Sequence, residues 1–284
     1  MQIFYATYPP MIKLLLCIFA LCCVSLKSQT YRFEYELRYK YDSLSPNYEV
    51  ENMILDISKK ETKFYDYPYL KYDSINKNTG SNIQTSSQTN QRIARDVNSH
   101  ENRQYISVDF DYFVISSEDR IDWKIENETS YLSPYHVQKA SAVFAGRKWI
   151  AWFTSEIPFS EGPYKFNGLP GLIVSIYDAK KNFIYTLLQS KTLLHDFNTS
   201  SFIETNYGIK PISISIKQYN KLLVDKYDNP YDSAKKAIES GGTVTINNQV
   251  IKDKSELDKL KKSRQEIIRK YYNPIELKNA VNYN

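Results

Sequence analysis

Residues 31–42 read Tyr31-Arg32-Phe33-Glu34-Tyr35-Glu36-Leu37-Arg38-Tyr39-Lys40-Tyr41-Asp42. Odd positions are apolar or aromatic and even positions are charged. Strand side chains alternate between faces, so period two over this length predicts one long strand with an aromatic face and a charged face. A sheet with one wet face is the antiparallel habit. The chain carries 25 tyrosines and only 8 glycines. Tyrosine suits a pleated, half-buried surface because it joins an apolar body to a polar tip.

Further strands are expected outward from this one. The second lies around Met53, Leu55 and Ile57, and a short third around Phe64. From Ser74 to Gln104 the pattern stops, and Asn, Gln, Ser, Thr and charge dominate. With little to bury, residues 75–104 read as a polar, mobile insertion. Strands resume at 105–115 and 121–126, where Ile121, Trp123 and Ile125 alternate with Asp122, Lys124 and Glu126. A hairpin follows, with Val137–Phe144 running up, a turn at Ala145-Gly146-Arg147, and Lys148–Phe153 running back. Residues 154–171 form a shaped loop punctuated by Pro158, Gly162, Pro163, Gly168, Pro170 and Gly171. Two strands, 172–177 and 183–188, come next.

The last third changes period. Ser215-Ile216-Lys217-Gln218 has capping-box form, with Tyr219, Leu222, Leu223 and Lys226 on one helical face. Asn229-Pro230 opens a second helix that Gly241-Gly242 ends. Residues 254–271 predict a third, with Leu257, Leu260, Ile267, Ile268 and Tyr271 on one side. The expected fold is α+β and mainly antiparallel. A large, twisted, half-barrel-like sheet has C-terminal helices packed on one side.

The N-terminus predicts a compartment. Lys13 precedes an uncharged run from Leu14 to Leu26, too short to span a bilayer comfortably. Residues 1–28 therefore read as a signal peptide, with Met11 as an alternative start. Cys17, Cys22 and Cys23 all fall in this run, so the mature chain has no thiol for a disulfide or a thiolate metal site. None of the three follows a small residue, which argues against a lipoprotein. Loss of Lys13 and Lys27 takes the formal charge from +5 to +3. That balance gives no reason to expect nucleic acid as a partner. The domain plan is 29–241 for the β-rich unit and 242–284 for a helical tail.

Gly168-Leu169-Pro170-Gly171-Leu172-Ile173 spells GLPGLI. Around it stand Asp122-Trp123-Lys124-Ile125, Gln138-Lys139-Ala140, Phe144-Ala145-Gly146-Arg147, Ala151-Trp152-Phe153-Thr154, Ile157-Pro158 and Gly162-Pro163-Tyr164-Lys165-Phe166. Over residues 120–178 this resembles the GLPGLI (Porph_ging-type) family of exported bacterial proteins of unknown function. The resemblance implies a Gram-negative envelope protein, periplasmic or associated with the outer membrane. It implies no activity. The tail beyond residue 242 lies outside it.

Chemistry is sparse. The GLPGLI loop lacks the Lys-Ser or Lys-Thr of a phosphate loop, so a structural bend or an interaction motif is the expected role for its six residues. His100, His136 and His195 have no metal-like spacing. Glu156 and Glu161 flank Pro158 and offer two carboxylates for acid–base work. Trp149 and Trp152 differ by three and should face opposite ways in a strand. Arg147 reads as an exposed cap beside a turn. The residues available to a ligand or partner are Trp123, Arg147, Trp149, Trp152, Tyr164 and Lys165. No catalytic residue, metal or cofactor is assigned. The leading expectation is non-catalytic binding of an apolar ligand or lipid in the sheet's concavity. The alternatives are an interaction module for an outer-membrane protein and, last, a hydrolase using loop carboxylates.

Overall fold

A computed structural model describes residues 29–283. The expected signal peptide, residues 1–28, lies outside the described residues.

The fold is one 12-stranded, mostly antiparallel sheet that does not close into a barrel. β1 (Thr30–Tyr39), β2 (Glu49–Ile57) and β3 (Glu61–Asp66) run as a meander. Helix α1 (Tyr67–Thr79) intervenes, then β4 (Arg92–Asp96), β5 (Glu101–Val108) and β6 (Asp111–Glu118) extend it. The chain then crosses to the far edge. β7 (Lys124–Leu132), β8 (Tyr135–Phe144), β9 (Arg147–Thr154), β10 (Leu172–Asp178) and β11 (Phe183–Leu193) return strand by strand to β1. Two meanders therefore meet at the β1–β11 pair. A two-residue β12 (Ile212–Ser213) adds to β6 in parallel.

The alternation in β1 holds residue by residue. Phe33, Tyr35, Leu37 and Tyr39 are buried, whereas Glu34 and Glu36 are half-buried and Arg38 is exposed. Arg32 departs from it. It is buried on the charged face, opposite Asp56 of β2, and the pair closes at 2.6 Å with Tyr65 donating to Asp56 at 2.7 Å. That face is dry here because Tyr65, Tyr69, Tyr105, Tyr112, Phe202 and Ile203 build a second apolar cluster on it. The main cluster occupies the other face and gathers Phe33, Tyr35, Leu55, Phe64, Trp149, Phe166, Ile173 and Tyr185.

The segment 75–104 is not one mobile insertion. It contains the end of α1, all of β4 and the start of β5, and only residues 80–91 and the turn at 97–100 lack regular structure. β4 is hidden from a hydropathy reading because Arg92 and Arg95 are themselves buried. The Arg92 guanidinium lies 4.9 Å from the Tyr69 ring and 4.8 Å from the Tyr112 ring, and donates to the Phe202 carbonyl and Ser107 Oγ. Cation–π contacts and hydrogen bonds replace the water that such a side chain loses.

Three C-terminal helices follow: α2 (Ile216–Asp228), α3 (Asp232–Glu239) and α4 (Lys254–Lys270). The capping box of α2 forms, with the Gln218 amide donating to Ser215 Oγ at 3.2 Å and the Ser215 amide to Gln218 Oε1 at 2.8 Å. A small hairpin, β13 (Val244–Ile246) and β14 (Gln249–Ile251), connects α3 to α4. The helices pack on one another and join the sheet at the β5–β6 turn, where Lys226 pairs with Asp109. No helix among the described residues is long and apolar enough to cross a membrane. Residues 242–284 are not purely a helical tail. After α4 the chain returns to the sheet and lies along the β8–β9 turn, with a 3-10 turn at Leu277–Asn279.

Candidate functional site

The sheet wraps around the loop 155–171. Phe166 sits 4.5 Å from Trp149, 5.7 Å from Phe144 and 6.4 Å from Tyr185, ring to ring. Tyr164, Phe166 and Leu169 are buried with it. The concavity expected to hold a ligand is thus filled by the chain's own side chains.

The GLPGLI residues form the turn that closes this loop. Gly171 has φ +149°, and a Cβ there would stand 2.0 Å from the Thr154 carbonyl oxygen. Gly168 has φ +93° but faces open space up to Trp123 at 3.9 Å. The amides of Gly168, Gly171, Leu172 and Ile173 donate to the carbonyls of Ser160, Leu169, Ile157 and Glu161. Tyr35 donates to the Ile173 carbonyl at 2.7 Å, and Trp123 Nε1 to the Asn167 carbonyl at 2.8 Å. Four of the motif's amides are therefore engaged inside the chain and cannot cradle an anion.

A buried polar chain runs beneath the loop. Glu161 pairs with Arg95, which also donates to Asn102 Oδ1 at 3.0 Å. Asn102 donates to Asp119 at 3.1 Å, and Ser117 to the same carboxylate oxygen at 2.5 Å. Lys165 Nζ reaches Ser117 at 3.1 Å, Asp119 at 3.4 Å and Glu276 at 2.6 Å. Tyr164 donates to Glu276 at 2.6 Å. Burial pushes the Glu161 carboxyl up from its ordinary value, and Arg95 only partly offsets this. Burial, reinforced by the Glu276 charge, holds the Tyr164 phenol well above its usual range.

Arg147 is not an exposed cap. It is buried, with its side chain 4% exposed, and pairs with Asp178 at 3.3 Å. It also donates to Asn273 Oδ1 at 2.7 Å and to the carbonyls of Pro274 at 2.6 Å and Ile275 at 3.0 Å. Burial lowers its pKa, with Asp178 opposing. Trp149 is fully buried and Trp152 half-buried on the opposite face, as their spacing predicts. Of the six candidate contact residues, Arg147, Trp149, Tyr164 and Lys165 meet around the loop and the returning C-terminal segment. Trp123 touches the same loop from its outer side, and Trp152 is apart.

The loop carboxylates do not converge. Glu156 is exposed and accepts from the His136 amide at 2.9 Å, whereas Glu161 points inward to Arg95. Among the described residues no group of three His, Asp or Glu side chains is placed to hold a metal. Sequence reading missed Arg95, Asn102, Asp119 and Glu276. Their only local signal is polarity, which ordinarily marks solvated positions.

A second feature lies in the helical unit. An open groove of about 820 Å³ is lined by Ala234, Ala237, Val244, Leu260, Ile267 and Ile268, together with Arg264, Asp232 and the paired Lys226 and Asp109. The lining is half-buried or exposed, so apolar surface faces the opening.

The molecule is thus an open antiparallel-sheet protein folded around a GLPGLI loop. Its residues 145–175 match the family model described as "Protein of unknown function (Porph_ging)", the family suggested by the motifs around that loop. No curated protein matches. Two solved structures of PNGF-II are similar. The one in space group C2 is 14% identical with a TM-score of 0.49, over 69% of this chain and 32% of that one. The one in space group P21 is 13% identical with a TM-score of 0.48, over 68% and 33%. The chain therefore matches about a third of the length of those solved chains.

Proposed function

We propose that the protein is an exported, non-lipidated component of a Gram-negative envelope, periplasmic or outer-membrane associated, that binds an apolar ligand without catalysis. The supporting observation is the groove among α3, the β13–β14 hairpin and α4, with an aliphatic lining and charged side chains of both signs beside it. Apolar walls with a few charged and polar groups beside them suit an amphiphile. The Leu14–Leu26 run supports export.

The test uses the mature chain. Native mass spectrometry after gentle extraction should find an amphiphile bound. Anilinonaphthalene sulfonate should fluoresce with the wild type and lose binding in Ala234→Trp, which fills the groove. Equal probe binding by both proteins, with no co-purified amphiphile, would sink the reading.

A partner-binding role is the second reading. It is supported by Ile125, Tyr131, Leu132 and Val143, all exposed on the edge hairpin β7–β8.

A further inference from the structure

The segment that returns after α4 is held in an unusual way for a core element. Residues 272–280 are all half-buried or exposed. Polar contacts fix most of the segment, and Ile275 adds an apolar contact with the main cluster. Arg147 takes the Asn273 side chain and the backbone carbonyls of Pro274 and Ile275. Asn273 donates to the Lys40 carbonyl at 2.7 Å, and the Lys278 amide to the Ala145 carbonyl at 3.0 Å. Lys165 and Tyr164 converge on one oxygen of Glu276, each at 2.6 Å. Gly146 lets the segment approach, since a Cβ there would stand 3.0 Å from Leu277 Cβ and 3.2 Å from the Lys278 nitrogen.

The receptor side and the bound side differ in kind. Ala145, Gly146, Arg147, Tyr164 and Lys165 all fall within the family-matched residues 145–175. They stand on a tight β8–β9 turn and a packed loop. The bound segment lies outside that match. Contacts to backbone carbonyls read an extended chain of any sequence, while the Lys165–Tyr164 pair demands a carboxylate.

We propose that Gly146, Arg147, Tyr164 and Lys165 form a binding site for a peptide that bears an acidic side chain and closes in a 3-10 turn, and that residues 273–278 occupy it as an internal, displaceable ligand. The external occupant is a segment of another protein with the Asn-Pro-x-Glu pattern. The lysine and tyrosine take its carboxylate, and the arginine takes two carbonyls upstream. Tethering gives the internal segment a millimolar effective concentration, so a single free peptide competes weakly and a high local concentration of partner is needed.

The experiment uses the mature full chain and a fluorescein-labelled peptide of sequence Tyr271–Val281. In the wild type, millimolar peptide should accelerate hydrogen exchange at the Lys278 amide, because the chain's own segment is displaced. In the Glu276→Gln chain the internal ligand is weakened but the site is intact. That chain should bind the labelled peptide about tenfold more tightly than wild type does, the effect of one lost charge-assisted contact. A peptide carrying the same Glu→Gln change should bind it about tenfold more weakly than the unmodified peptide. Unchanged exchange at Lys278 in the wild type overturns the proposal, whatever the fold of the variant. So does equal binding of the two peptides. The groove of the helical unit is untouched in either case, so failure here leaves the amphiphile reading standing.

Discussion

The loop 155–171 and the helical unit 216–270 both assemble aliphatic and aromatic side chains, yet one closes and the other stays open. In the loop, Phe166 and Leu169 are buried under strands from both meanders, and the amides of the GLPGLI turn are engaged within the chain. In the helical unit, Leu260, Ile267 and Ile268 line a groove on one side only. A sheet can curl round a loop and bury it completely. Three short helices meeting at a sheet corner have too few neighbours to do so. Conserving volume is therefore vital at the loop and optional at the groove, and a ligand can enter only where packing is incomplete.

The largest effect that would break this contrast is at Gly171. A Cβ there meets backbone at 2.0 Å in a left-handed conformation. Gly171→Val should cost about 4 kcal/mol or prevent folding, because backbone cannot move aside as a side chain can. Gly168→Ala meets open space and should cost only the positive φ, about 1 kcal/mol. Urea denaturation of both compares them, and equal midpoints would mean that the loop is looser than described.

Next comes side-chain removal in each region. Phe166→Ala should cost about 3–5 kcal/mol, as for large aromatic truncation in a packed core. Leu260→Ala, half-buried at the groove, should cost about 1 kcal/mol. If the two proved equal, the groove would be closed in solution.

A smaller effect is pH-dependent. Glu161 has its folded pKa raised, mainly by burial. The folded state therefore keeps the proton to higher pH than the unfolded state does. The stability this gives is complete below the unfolded pKa and is lost as pH rises through the folded one. Glu161→Gln removes the titration. Between acid pH and neutrality, wild type should lose stability relative to the variant. Parallel stability curves would place Glu161 in water. Smallest of all, Glu156→Gln should leave the unfolding midpoint where it was, since that carboxylate is exposed beside His136. Any large shift would reopen the idea of paired loop carboxylates.

Much of the fold was legible because it follows local periodicity. The 31–42 alternation, the hairpin about Ala145-Gly146 and the Ser215 cap each depend on backbone geometry within a few residues. The turn itself places Ala145 at φ 50° and Gly146 at φ 86°. β4 was illegible for the opposite reason. Its Arg92 and Arg95 look solvated until Tyr69, Tyr112, Asn102 and Glu161 arrive from elsewhere in the chain.

By itself, then, the sequence determined strand period, helix starts, the GLPGLI bend and the opposite facing of Trp149 and Trp152. These are properties of neighbours along the chain. Only the tertiary structure decided that Arg147 is a buried clamp, that Lys165 meets Glu276, and that apolar surface stays open among the helices while the loop 155–171 is buried. Each depends on residues far apart in sequence, such as Lys165 and Glu276, which are 111 positions apart. Whether a charge is buried depends on which distant partner offsets its lost hydration, and no local pattern carries that information.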